Sequence, residues 1–381
     1  SDEGWVFVYH GSATGLSATP AWTADSDQFS AEFGYSVGTA GDVNGDGYAD
    51  VIVGAWKYSN DELREGRAYV YYGSENGLSA KPAWTAESDQ VNSRFGSSVG
   101  TAGDVNGDGY ADVIVGALDY DNGETDEGRA YVYYGSSAGL VDTPTWTAES
   151  DQASACFGYS VGTAGDVNGD GYADVIVGAL DYDNGQEDEG RVYVYHGSKT
   201  GLAATPAWTA ESDQANVEFG AALGTAGDVN GDGYADVIVG AYYYKNGVNE
   251  FGRAYVYHGS ASGLAVTWAW AVECDQESVD FGRSVGTAGD VNGDGYAGVI
   301  VGARFYEIDQ SYEGRVYVYP GSAGGLSARA AWTADSDQVD ARLGSSVGTA
   351  GDVNGDGYAD MIAGAPYYTN GQTAEGQASL Y

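Results

Sequence analysis

The chain has 381 residues with 15 basic and 56 acidic side chains, a formal charge of −41, and it is rich in Gly (61) and Tyr (32) but poor in Pro (6). So negative a chain disfavours nucleic acid or an anionic membrane surface as partner, and no apolar run reaches the ~18 residues of a membrane span. Two cysteines at different phases of the pattern described below, Cys156 and Cys274, make no disulfide framework, and free thiols are expected.

Reading in chain order, Glu3–Ser12 has the alternation of a β-strand, and Trp22 marks a second short strand. One complete unit follows, with strand-like runs at Tyr35–Val43, Tyr48–Ala55, Arg67–Tyr72 and Ala83–Ala86 separated by Gly-rich breaks. Arg67–Tyr72 alternates rings with small apolar residues, as a strand with two different faces requires. Val51, Ile52 and Val53 are apolar without interruption, so that strand is expected to be buried on both faces.

This unit recurs every 62 residues, with repeats starting near 33, 95, 157, 219, 281 and 343. Four strands per unit and no helical pattern predict an all-β propeller of six four-stranded blades, a single domain over 1–381. Trp22, Trp84, Trp146, Trp208, Trp270 and Trp332 share one phase and read as packing residues of the fourth strand, with a sugar-stacking surface as the alternative. Glu375–Tyr381 has the phase of Glu3–Ser12, so the third strand occurs seven times and the innermost only six. The partial blade 1–28 is therefore expected to close the ring by lending the strand near Trp22 to the C-terminal blade. The surplus third strand is then free to pair with a neighbouring molecule or to lie on the outside.

The sharpest chemical pattern is the turn Asp42-Val43-Asn44-Gly45-Asp46-Gly47-Tyr48-Ala49-Asp50. Oxygen-bearing side chains at positions 1, 3, 5 and 9, a Gly at position 6 and a carbonyl at position 7 suit a hard cation, calcium before magnesium. An apolar strand follows instead of a helix and Val53 stands at position 12, which excludes an EF-hand. The expected ligands are Asp42, Asn44, Asp46, the Tyr48 carbonyl and Asp50. The same set recurs at Asp104, Asn106, Asp108, Tyr110 and Asp112, at Asp166, Asn168, Asp170, Tyr172 and Asp174, and at Asp228, Asn230, Asp232, Tyr234 and Asp236. Asp352, Asn354, Asp356, Tyr358 and Asp360 complete the fifth full set. The turn at Asp290, Asn292, Asp294 and Tyr296 has Gly298 in the last place, so a sixth, weaker site is expected there. A lone turn of this kind reads equally well as an Asx-turn without metal; six copies favour the ion.

Around these turns stand Phe33-Gly34, Phe95-Gly96, Phe157-Gly158, Phe219-Gly220 and Phe281-Gly282, and after them Gly54-Ala55 and its counterparts through Gly364-Ala365-Pro366. The pattern resembles the FG-GAP repeat of the integrin α-subunit propeller over essentially the whole chain. The resemblance implies calcium in the turn between the first and second strands, at the positions named above, and a role in adhesion or recognition at the cell surface or outside the cell. It also implies seven blades as the alternative to six. Leu343 departs from the Phe of the pattern, and only Pro366 supplies its last letter.

Sequence varies between repeats at Asn60–Leu63 against Asn246–Asn249, and at Phe29–Glu32 against Val91–Arg94. Both stretches are expected on one face, opposite the acidic turns, where a protein or glycan ligand would bind. Tyr58, Tyr120, Tyr182, Tyr244, Tyr306 and Tyr368 are expected on that face, either stacking on a ligand or capping their own blades. Catalysis finds little support. Gly34-Tyr35-Ser36-Val37-Gly38 matches a nucleophile-elbow pattern but recurs along strands, and His10, His196 and His258 replace surface tyrosines. An adhesion module leads, with a lectin and a self-assembling structural subunit as alternatives.

Overall fold

Alternating Tyr and Val between Gly-rich breaks turns each repeat into an antiparallel sheet in the computed structural model, which describes residues 4–381. Blade 1 orders Ser36–Gly41, Asp50–Ala55, Arg67–Tyr71 and Trp84–Glu87 from the axis outward. Blades 2 to 5 repeat this over Phe95–Glu149, Phe157–Glu211, Ala222–Glu273 and Phe281–Asp335. Blade 4 adds a small hairpin, Lys245–Asn246 with Asn249–Glu250. Blade 6 holds three strands, Ser346–Gly351, Asp360–Ala365 and Gln377–Leu380. The fold is a six-bladed β-propeller without helix among the described residues. Six inner strands surround the axis, where Gly38 and Thr39 and their five counterparts line a narrow channel.

The core lies between sheets rather than within them. Ile52, Val70 and Trp84 of blade 1 pack on Phe95, Val113, Tyr131 and Tyr133 of blade 2. Trp84 meets Tyr133 edge-on at 4.8 Å, and its indole Nε1 donates to the Val141 carbonyl at 3.0 Å. The same pair recurs through Trp146–Tyr195, Trp208–Tyr257 and Trp270–Tyr319, so the periodic Trp is an interblade wedge. Second strands Asp112–Ala117, Asp174–Ala179 and Asp236–Ala241 are buried throughout, as their apolar runs require.

The closure differs from the expectation. Strand β1 (Trp5–Val8) pairs with strand β2 (Trp22–Asp25), in register Val8↔Trp22, and β2 is not the fourth strand of blade 6. The two strands are neighbours in sequence, so they pair with each other across a short connection at little loop entropy, and the pair docks as a unit. The β1–β2 pair occupies a seventh position between blades 6 and 1. Trp22 packs on Tyr71 of blade 1 at 4.8 Å, repeating the interblade pattern. On the other side, Gly11 abuts the Val353 carbonyl of blade 6, as Gly135 of blade 2 abuts that of Val43 in blade 1. This position has outer strands only. Val37, which would face its inner strands, is 53% exposed, whereas Val99 in blade 2 is 7% exposed.

Candidate functional site

Each acidic turn follows a bulge between the inner and second strands, at Thr39/Gly41 in blade 1. Glycine at positions 4 and 6 adopts φ of 72° and 90° (Gly45 and Gly47), which lets the chain reverse within a few residues. The first Asp organises the turn: Asp42 Oδ1 accepts from the N–H of Gly45 (2.7 Å) and Asp46 (3.1 Å), and Oδ2 from Gly47 (2.8 Å). Asn44 Oδ1 accepts from Asp46 N–H at 2.9 Å, and Asp46 Oδ1 from Tyr48 N–H at 3.0 Å. Asp104, Asp166, Asp228, Asp290 and Asp352 make the same contacts in their own turns. Asn106, Asn168, Asn230, Asn292 and Asn354 likewise accept from Asp108, Asp170, Asp232, Asp294 and Asp356. Those aspartates in turn receive the N–H of Tyr110, Tyr172, Tyr234, Tyr296 and Tyr358.

The ninth position has a second role that the motif alone does not reveal. Asp112 is fully buried, and its carboxylate takes Val105 N–H at 3.0 Å and Gly135 N–H at 2.9 Å, stapling the turn to the end of the third strand. Asp50, Asp174 and Asp236 do the same. Asp360 holds Val353 N–H at 2.8 Å. Burial, partly offset by these two amides and reinforced by the charges of Asp108 and Asp104, pushes Asp112 up to about 7. Asp174 is likewise raised to about 7 and Asp236 to about 6, and Asp50 is raised for the same reasons. Within a turn, therefore, three carboxylates sense one another. In blade 5 Gly298 removes the staple.

The donor set is all oxygen, which suits a hard divalent cation that would relieve this mutual repulsion. Among the described residues, no three His, Cys, Asp or Glu side chains converge as a preformed metal cage. The carboxylates are held instead by backbone amides of their own turns.

The opposite face departs from sixfold symmetry. Gln90 joins the two variable connections, its Nε2 donating to the Asp121 carbonyl (2.9 Å) and its Oε1 accepting from Asp121 N–H (2.6 Å). Both connections thus share one face. The recurrent tyrosines cap their blades there: Tyr58 is buried, 6.4 Å from Tyr69, with the Arg67 guanidinium 3.8 Å over its ring. Stacking on a ligand is not what holds them. Variety between blades lies nearer the axis, at the starts of the inner strands, where Tyr35 is exposed, Trp56, Tyr159 and Arg283 are half-buried and Tyr242 is buried. Arg283 Nη2 donates to Tyr159 OH at 3.1 Å, tying blade 5 to blade 3, and lies 5.1 Å over Tyr242. Tyr35 packs at 5.5 Å on Trp56, whose Nε1 donates to Glu32 (2.9 Å) and which Arg94 overlies at 5.1 Å. Arg342 stands 4.3 Å over Tyr367. Sequence reasoning missed this cluster, although the unequal series Tyr35, Ser97, Tyr159, Ala221, Arg283, Ser345 carried the signal.

His196 and His258 are half-buried at the acidic-turn face rather than simply superficial, and burial lowers His196. Cys156 and Cys274 are free. No helix among the described residues is long and apolar enough to cross a membrane.

Comparison with known proteins agrees with this architecture. The FG-GAP repeat profile matches residues 33–71, 95–133, 157–195, 219–257, 281–319 and 343–381. Integrin alpha-PS2 of Drosophila melanogaster is 38% identical over 225 residues, covering 55% of this chain and 15% of that protein. Integrin alpha-4 of Xenopus laevis is 32% identical over 229 residues, covering 58% of this chain and 21% of that protein. The chain thus spans about a fifth or less of the length of these relatives. Among solved structures, the exotype rhamnogalacturonan lyase YesX aligns with a TM-score of 0.37 at 14% identity, over 86% of this chain and 72% of that one. With six matched repeats, each forming the first three strands of a blade, the chain belongs to the FG-GAP repeat family.

Proposed function

We propose that this chain is a calcium-stabilised recognition module of the adhesion type, working at the cell surface or outside the cell and holding a protein ligand on the variable-loop face. The observation that carries the reading is the break in symmetry there. A scaffold of near-identical blades places Tyr35, Trp56, Tyr159 and Arg283 together around the axis, and Arg and aromatic side chains dominate binding energy at protein interfaces. Lys57, Arg94, Arg304 and Arg342 stand on the same face, each paired with a carboxylate there, Glu32, Asp119, Asp280 and Asp340.

On the other face, Asp42, Asn44, Asp46, the Tyr48 carbonyl and Asp50, with their counterparts, would hold calcium, which would supply the positive charge that the turns lack. The kinship with integrin α-subunits supports binding rather than catalysis.

The test is adhesion of the immobilised chain to extracellular proteins and, in parallel, to a glycan array, in calcium and in chelator. Tyr35→Ala with Trp56→Ala should abolish protein capture while leaving the melting temperature within a few degrees. Capture that survives both substitutions, or that occurs on glycans alone, would remove the proposal.

A further inference from the structure

The residues that open the inner strands alternate in size around the ring. Tyr35, Tyr159 and Arg283 stand on blades 1, 3 and 5, while Ser97, Ala221 and Ser345 stand between them on blades 2, 4 and 6. Small residues on the intervening blades leave room for three long side chains to converge on the axis. Arg283 Nη2 reaches the Tyr159 hydroxyl at 3.1 Å, and Tyr35 acts electrostatically on both.

Arg283 differs from the other arginines. Each of those either pairs with a carboxylate, as Arg67 does with Glu87 and Arg304 with Asp280, or is exposed, as Arg64 and Arg329 are. Arg283 is half-buried and forms no ion pair among the described residues. The neighbouring acid Glu218 already accepts from the Tyr242 hydroxyl, and Asp280 is held by Arg304. A guanidinium that has lost part of its hydration without gaining an anion is costly to keep. The face of Tyr242, 5.1 Å away, offsets only part of that cost.

The free donors define what fits. Tyr159 engages Nη2, while Nε and Nη1 have no partner among the described residues and, unlike Nε of Arg67 and Arg253, are not sealed from solvent. The Tyr159 hydroxyl accepts from Arg283 and so keeps its own proton for a ligand; burial raises this phenol, which holds the proton at neutral pH. A carboxylate matches this planar fork of donors, accepting two parallel N–H bonds. The surroundings select its stem. Tyr242 commits its hydroxyl to Glu218, and Trp56, packed on Tyr35, commits its Nε1 to Glu32. The walls therefore offer ring faces rather than the polar partners that the hydroxyls of an acidic sugar need. An Asp or Glu side chain, a carboxylate on a short apolar stem, meets both conditions. The second charge of a phosphate would face a single arginine in a chain of net charge −41.

We propose that Arg283 and Tyr159 form the receptor for one acidic side chain of the protein ligand, seated on the axis with Tyr35 against its stem. The assignment rests on the reading of this face as the recognition surface and names the ligand group that anchors there. A bidentate guanidinium–carboxylate contact, ringed by aromatic side chains that exclude water, has the character of a central anchor in a protein interface.

The probe is N-acetyl-aspartic acid α-amide, titrated into the intact chain while the arginine Nε–H signals are followed by heteronuclear NMR. A saturable shift of one signal is expected, with a Kd on the order of 1 mM for so small a ligand and no shift from the asparagine analogue. Arg283→Gln should abolish the response. Tyr159→Phe, which keeps the ring and its packing, should weaken it about tenfold, with circular dichroism confirming that both variants stay folded. Absence of a saturable shift, an equal shift from the asparagine analogue, a shift that survives Arg283→Gln, or tighter binding of inorganic phosphate would overturn the assignment. So would capture of acidic glycans that Arg283→Gln abolishes, since a sugar acid would then be the occupant. Protein capture by the immobilised chain separates this inference from the reading beneath it. Capture that Tyr35→Ala with Trp56→Ala abolishes but Arg283→Gln leaves intact removes the carboxylate anchor and keeps the recognition face. A probe that binds at Arg283 in a chain that captures no protein keeps the carboxylate site and removes the recognition face.

Discussion

In chelator this protein should be more stable in mild acid than at neutral pH, the reverse of the usual behaviour of carboxylate-rich folds. The buried aspartates Asp112 and Asp174 move from 3.8 to about 7 on folding, and Asp236 to about 6, chiefly through burial. The folded state therefore holds protons that the unfolded chain has released. Where the native state binds more protons, stability falls as pH rises, so the loss runs from about pH 4 to about pH 7. At 1.36 kcal/mol per pH unit the cost of ionisation is about 4 kcal/mol each for Asp112 and Asp174 and about 3 kcal/mol for Asp236. Together this is comparable with the whole stability of an ordinary domain, about 5–15 kcal/mol. Urea unfolding followed by far-UV circular dichroism, in chelator between about pH 5 and 8, measures it. The midpoint should fall steeply with rising pH and recover when calcium is restored. A midpoint that stays level or rises with pH in chelator would refute the reasoning.

Further outcomes follow from packing. Trp146→Ala removes an edge-on contact with Tyr195 at 4.8 Å and a hydrogen bond to the Ala203 carbonyl, and should cost about 3–5 kcal/mol in urea unfolding. Gly116→Ala would drive a methyl group into the Gly158 carbonyl and should destabilise strongly, while Gly364→Ala, facing the open seventh position, should be tolerated after Ser346 rotates. A comparison of melting temperatures checks both. Gly298→Asp should restore the staple to Val291 and Gly321 N–H in blade 5 and raise calcium affinity there, as read by calorimetry; its Cβ lies 3.1 Å from the Tyr319 carbonyl, so the local backbone must yield slightly. The Cys156 thiol is raised by burial and by Asp181 and Asp119, so it should react with a thiol reagent far more slowly in the native than in the unfolded protein at about pH 8.

The ring was legible in the sequence because its determinants are local and repeated. A 62-residue period, the Val51–Val53 run and the Trp at one phase specify strands, burial and interblade wedges without reference to anything distant. Closure was not legible, because β1 and Gln377–Leu380 share a phase and offer β2 equivalent partners, and no residue pattern displays which of them it joins. Asp50 and its counterparts were read as ligands alone, since the amides that they hold at Val43 and Gly73 come from a bend and a distant strand end. The Arg283–Tyr159 contact joins residues 124 apart, and only the departure from the repeat hinted that these positions matter.

Native mass spectrometry of the intact chain, exchanged into volatile buffer with calcium present, counts bound ions directly. The account predicts five or six calcium ions, with the weakest lost first and assigned by Gly298→Asp to blade 5. A folded chain that carries none, with a melting temperature indifferent to chelator, would contradict it.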